Sequence, residues 1–303
     1  MFKNFQEDPL DAALVSGRPV LVLSPHLDDA LFSASEVIRR GKNVEVWTVY
    51  AGEPDPPVTT TWDKNAGFAD SRAQMAARTK EDILAYASTG VAIRRMPYLE
   101  DAYTSPGRRA ADLEEFRREF RSWVQAHTSD QPVVIVPAGA GIPVNRTLLH
   151  VMFRLGWNQL SSAIKLSSSV HRVLHDLEHT AFHRWHSLAI VNGPHVHDDH
   201  TSVRDVALES LDPDERVMLV LVEELPYLWW HPADDAVAAV AARWKRTALL
   251  GGLGVDRSWK YGRIRSYSSQ LPLMDPDFNR LSSPETLPEV ERYWVLEESA
   301  TSV

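Results

Sequence analysis

Pro19-Val-Leu-Val-Leu-Ser24 runs directly into Pro25-His26-Leu27-Asp28-Asp29, and that turn runs into Ala30-Leu-Phe-Ser-Ala-Ser-Glu-Val-Ile-Arg-Arg40. The first piece is an unbroken apolar run, short enough for a strand buried on both faces. The third carries Ala30, Ala34 and Val37 at helical spacing and ends at Gly41, which predicts a helix from Asp29 to Arg40. Asn43-Val-Glu-Val-Trp-Thr-Val-Tyr50 then reads as a second strand. Strand, helix and strand within residues 19–50 make a βαβ unit, which requires a parallel sheet. The turn between the first strand and its helix holds one imidazole and two carboxylates. It lies at a strand's carboxyl end, the edge at which open α/β sheets bind ligands.

Working outward, residues 51–68 with Pro54, Pro56 and Pro57 predict a long irregular loop at that same edge. Helices are expected over 70–88, 145–164, 169–188, 234–250 and 284–294, and over 110–126, where Leu113, Phe116, Phe120, Trp123 and Val124 share a face. Further strands are expected near 91–96, 132–137 and 217–222, with Gly139-Ala-Gly141 ending the second of these. No repeat and no domain linker interrupts the chain. The expectation is one α/β domain over 1–303, a Rossmann-like mostly parallel sheet flanked by helices, with a helical insertion at 142–190.

Composition narrows the function. Thirty-two Lys and Arg against 41 Asp and Glu give 32 − 41 = −9, which opposes binding to nucleic acid or to an anionic membrane. No cysteine is present, so a thiolate zinc site, a disulfide framework and a cysteine nucleophile are all excluded. Any transition metal must be held by His, Asp or Glu. The polar start of the chain and the lack of an apolar run of ~18–20 residues predict a soluble, cytoplasmic protein with no membrane span. Oligomeric state is left open.

Two clusters carry the chemistry. In the first, His26 and Asp29 are three residues apart on a turn entering a helix and can aim at one point, with Asp28 beside them. A helix-capping aspartate would explain one carboxylate but neither the second nor the histidine. A dinucleotide site does not fit, because no Gly-x-Gly-x-x-Gly follows the strand. In the second, His195-Val-His197-Asp198-Asp199-His200 repeats the three-residue spacing with a carboxylate between the imidazoles. The bland alternative is a solvated polar loop. Together the clusters supply enough donors for a catalytic zinc with an open position.

These residues resemble the PIG-L (LmbE-like) family of zinc-dependent de-N-acetylases, marked by a His-Pro/Leu-Asp-Asp turn and a later His-x-Asp-His. Further segments agree in order: Arg78-Thr-Lys-Glu81-Asp82, Leu99-Glu100-Asp101, Glu223-Glu224-Leu225-Pro226-Tyr227 and Tyr267-Ser268-Ser269-Gln270. The resemblance implies Zn²⁺ as cofactor, with His26, Asp29 and His200 as its ligands. It implies Asp28 as general base, and His197 as the group that polarises the carbonyl or protonates the leaving amine. Asp199 would orient an imidazole, and Arg78 and Asp101 would contact substrate. The implied substrate is a small N-acetylated molecule, an amino sugar or glycoside of the N-acetylglucosaminyl type. Leu27 and Asp198 depart from the commoner family residues, and the insertion at 142–190 separates Gly141 from His195 more widely than in relatives.

Two alternatives stay open: a zinc amidohydrolase of the same scaffold acting on another acyl group or a non-sugar amide, and a non-catalytic binding protein. His171, His175, His179 and His183 recur every four residues within the insertion, which reads as a solvated helix side or as a second metal site. Tyr227-Leu-Trp229-Trp230-His231 reads equally as pocket wall or as core.

Overall fold

A computed structural model describes residues 8–139, 141, 197–212, 215–229, 232–275 and 280–298. Strand β1 (Val20–Ser24) is buried along its whole length between β2 (Val44–Thr48) and β4 (Val133–Pro137). It runs parallel to both, with Val20 opposite Val44 on one side and Val133 on the other. β3 (Ala92–Arg95) pairs with β2, and β5 (Met218–Val222) with β4, again in parallel. Side chains alternate across the sheet. Val20 and Val22 face a layer containing Leu31, Phe32, Val37 and Ile38 from α2 (Asp29–Ser33) and α3 (Ser35–Arg40). Leu21 and Leu23 face a second layer. It is built from Phe116, Phe120 and Val124 of α6 (Pro106–His127) and Val203 and Ala207 of α7 (Asp198–Ser210). The doubly wound, mostly parallel fold is as expected from the sequence.

Three expectations need correction. The helix foreseen from Asp29 to Arg40 is broken at Ala34 (φ −134°, ψ 36°) into α2 and α3. Glu291 caps the second piece from outside, accepting the Ser35 and Glu36 N–H groups at 2.9 Å each. The helix foreseen over 234–250 stops after α8 (Asp234–Trp244), where Lys245 turns left-handed at φ 51°. Residues Arg246–Gly254 form β6 instead. The helix foreseen over 284–294 is a single 3₁₀ turn, Pro284–Thr286, followed by β7 (Val290–Glu298). β6 and β7 pair antiparallel along nine residue pairs, and β7 joins β5, giving the order β3-β2-β1-β4-β5-β7-β6. Pairing partners outweigh the helical propensity of Ala248, Leu249 and Leu250. The insertion at 142–190, its histidine series, His195, Trp230 and His231 lie outside the described residues.

Strand order reverses at β1, whose neighbours are β2 on one side and β4 on the other. The carboxyl ends of β1 and β4 therefore diverge into a crevice, the usual ligand position in such sheets.

Candidate active site

The residues after β1 are tied into one tight turn. Ser24 Oγ donates to the His26 carbonyl at 2.6 Å and accepts the Ala30 N–H at 3.0 Å. Asp29 Oδ2 reaches back to the His26 N–H at 2.8 Å, which brings its carboxylate beneath the His26 ring. His26 Nδ1 lies 3.1 Å from the same oxygen. Asp28, although at the N-cap position of α2, makes no capping hydrogen bond. A capping role for it is therefore ruled out.

Across the crevice, α7 begins where His197 N–H meets the Gly139 carbonyl beyond β4, at 3.3 Å. One turn of helix carries His200 inward until its Nε2 is 3.3 Å from Asp29 Oδ2. Ligand atoms of His26, Asp29 and His200, all buried, lie within 4.8 Å of one another. The sequence placed this trio together, and the fold assembles it from two segments that are far apart in the chain.

The set fits a divalent metal on two grounds. Two imidazoles and a carboxylate are borderline donors of the zinc type. The buried His200 Nε2 has no hydrogen-bond partner among the described residues, as expected of a nitrogen whose lone pair is meant for a cation.

The remaining residues surround this point. His197 packs its ring 4.5 Å from that of His200 and 5.4 Å from that of His26. Burial, reinforced by those two imidazoles, pushes its pKa down to about 3, so it is neutral near pH 7. Asp28 is buried, with Oδ1 3.5 Å from Arg78 Nη2 and Oδ2 unpartnered. Burial raises its pKa against the pull of Arg78. Burial also opposes charge on His26, yet its hydrogen bonds to Asp199 and Asp29 hold its pKa well above the ordinary value. In Asp29 the cost of burial is overcome by His200 and His26, and its pKa falls. Opposed shifts packed into so small a volume mark functional sites more often than structural ones.

The imidazole that Asp199 meets is His26, whose Nε2 is 3.0 Å from Asp199 Oδ2. Arg109 of α6 braces Asp199 through Nη2, donates to Ser202 Oγ at 2.9 Å, and stacks its guanidinium 4.1 Å from the centre of the Tyr50 ring. Asp101 stands apart from the buried cluster. Its backbone N–H donates to Asp199 Oδ1 at 3.1 Å, but the residue is exposed and lines an open pocket of about 380 Å³ with Pro106, Arg109 and Leu113. The acidic group nearer the trio is Glu100, with Oε2 3.8 Å from His26 Nε2 and 3.5 Å from Arg78 Nη1.

Sequence reasoning passed over Glu100 because it adjoins Asp101, and nothing in the local pattern says which carboxylate turns inward. It passed over Arg109 because an arginine on a helix is ordinarily solvated. Glu224, at the end of β5, could have been found: an acid closing an apolar strand at the binding edge is the same signal as His26. Tyr227 sets its ring against His200 at 5.3 Å, edge-on, and against His197 at 5.7 Å, while it also packs against the core. Trp229 packs against the core on the other side of the sheet.

No family model matches the chain, and no curated protein matches it in sequence. Among solved structures the fold is similar to the zinc-inhibited form of teicoplanin deacetylase Orf2, with a TM-score of 0.59, 21% identity, 94% of this chain covered and 100% of that chain. It is likewise similar to the A40926 pseudoaglycone deacetylase Dbv21, with a TM-score of 0.57, 18% identity, and coverage of 94% and 100%. A teicoplanin complex of such a deacetylase matches at a TM-score of 0.57 and 20% identity, covering 93% of this chain and 99% of that one. At these identities the likeness establishes a common fold. Among the described residues no helix is long and apolar enough to cross a membrane.

Proposed function

We propose that this chain is a zinc-dependent N-deacetylase of the PIG-L type that removes acetate from an N-acetyl amino sugar or glycoside. The observation that carries the proposal is the convergence of His26, Asp29 and His200 within 4.8 Å. Asp28 with a free carboxylate oxygen and a neutral His197 adjoin that point. The deacetylases that share the fold support the same reaction class.

When bound by His26, Asp29 and His200, zinc supplies Lewis-acid polarisation of an acyl oxygen and acidifies water. Asp28 Oδ2 accepts the proton of the attacking water. Arg78, 3.5 Å from its other oxygen, offsets part of the cost of burying that carboxylate. His197, neutral, offers one N–H to the oxygen on which negative charge develops. As the C–N bond breaks, the proton held by Asp28 passes to the amine nitrogen. One water is consumed, and acetate and a free amine leave. Arg78 and Glu100 lie beside this point, and their charged groups suit the hydroxyls of a sugar, while Asp101 would meet a more distant part of the substrate.

The test is acetate release from a panel of N-acetylglucosaminyl compounds. The metal-free protein should be inactive, about one equivalent of zinc per chain should restore it, and cobalt should substitute while Mg²⁺ should not. Full activity in chelator-treated, metal-free protein would overturn the metal assignment. Release of some other acyl group in place of acetate would overturn the substrate assignment and leave the metal assignment standing.

A further inference from the structure

Glu224 is 1% exposed and belongs to none of the roles assigned above. Its Oε1 lies 3.2 Å from His200 Nδ1 and accepts the Gly139 N–H at 2.7 Å, while Oε2 has no partner among the described residues. We propose that Glu224 is a positioning residue that fixes His200 with its proton on Nδ1 and its Nε2 lone pair facing Asp29. The proposal rests on the metal site being real, and it deepens that assignment.

Four observations carry it. An anionic acceptor at Nδ1 favours the tautomer protonated there, which leaves Nε2 free to bind a metal. Nε2 is the nitrogen found buried without a hydrogen bond. The carboxylate is itself held from behind: Gly139 adopts φ +87°, and a Cβ there would meet Arg204 Nη1 at 2.6 Å. Only glycine allows the bend that points this N–H at Glu224. Finally, an unpartnered carboxylate oxygen in the interior is costly, and a neutral glutamine would cap the Gly139 N–H equally well.

His26 repeats the device in mirror image. Its Nε2 faces Asp199, so Nδ1 is the nitrogen turned towards Asp29. The two imidazoles would thus bind through different nitrogens, each selected by its own carboxylate.

The experiment measures zinc dissociation constants by chelator competition, with melting temperatures of the metal-free proteins alongside and visible spectra of the cobalt forms. Glu224→Gln should weaken zinc binding about 10-fold and Glu224→Ala up to roughly 100-fold, the usual range for a carboxylate behind a ligating histidine. The cobalt bands should shift in both. A variant that melts lower without metal yet binds zinc as tightly as wild type would show a merely structural role and overturn the proposal. If Glu224→Ala does not fold, the glutamine variant alone decides. Wild-type protein that binds no zinc would overturn the metal assignment itself, and that outcome is distinct from wild type and variants binding equally.

Discussion

Two buried ionic clusters in this molecule obey opposite rules. In one, Lys260 of α9 (Arg257–Ile264) donates to Glu291 Oε1 at 2.7 Å, and the same oxygen accepts from Ser35 Oγ at 2.5 Å and Ser35 N–H at 2.9 Å. Oε2 takes the Glu36 N–H, so both oxygens are satisfied. In the other, around His26, five atoms that could donate or accept hydrogen bonds lack partners among the described residues: Asp28 Oδ2, Arg78 Nε, His197 Nδ1, His200 Nε2 and Glu224 Oε2. Folding alone favours the first pattern, because each unmet buried polar group costs about 1–3 kcal/mol. Other buried atoms without partners are found at Thr48, Gln74, Tyr86 and Asp112, but around His26 they gather at one point. That concentration, more than burial or charge, distinguishes the cluster around His26 from the one around Glu291.

The sharpest way to break this contrast is a pair of substitutions with opposite readouts. Asp28→Asn keeps the side chain's shape but cannot take a proton. It should lower kcat roughly 10²–10⁴-fold, keep zinc binding near wild type, and leave unfolding midpoints unchanged or slightly raised. The last part follows from sign: burial raises the Asp28 pKa, so its ionised form is a cost to the folded state that asparagine does not incur. Steady-state kinetics, metal content and urea denaturation check the three parts. An Asn variant with wild-type kcat would remove Asp28 from the mechanism.

Lys260→Met should do the reverse. It strands Glu291 in the interior with its cation gone, which costs about 3 kcal/mol of stability in comparable buried pairs. Turnover per folded molecule should not change. A comparable loss of kcat in protein shown by circular dichroism to be folded would mean that the two clusters are coupled, and that the distinction drawn between them is wrong.

The sequence made legible whatever was encoded locally. β1, β4 and β5 are continuous apolar runs, and the His26–Asp29 turn sits where a βαβ unit puts its ligands. What was hidden depends on partners distant in the chain. The break at Ala34 exists because Glu291, 256 residues away, caps Ser35. β6 and β7 look helical until each is given the other to pair with. The same holds in the site. The two clusters that hold His26, Asp29 and His200 declare themselves by residue type and spacing, and the resemblance picks out these three, whereas Glu100 and Glu224 are recognised only once the fold shows which carboxylates turn inward. Asp199 fell between these cases: the resemblance pointed to it, but its partner, the ring of His26 173 residues away, was not readable.

Asp82 tests the border between the two clusters, because it is fully paired yet still titrates. Its Oδ2 accepts from Arg95 Nε at 2.8 Å and Nη2 at 2.5 Å. Its Oδ1 accepts from Tyr267 Oη at 2.9 Å, and that hydroxyl lies 3.0 Å from the Leu27 carbonyl in the turn after β1. Burial nonetheless pushes its pKa up to about 6, against Arg95 and Tyr267. A carboxyl raised in the folded state binds its proton more tightly there than when unfolded. Its contribution to stability is therefore complete below about pH 4 and lost as pH rises through about 6. Other carboxylates shift in the opposite sense, so the signal is clearest as a difference between proteins that share them. Between pH 4 and pH 7 the stability of wild type relative to Asp82→Asn should fall by on the order of 2 kcal/mol, measured as denaturant unfolding free energies across that range. A difference that stays flat would mean that Arg95 and Tyr267 compensate fully for burial, which would place Asp82 with Glu291 in the cluster that serves the fold alone.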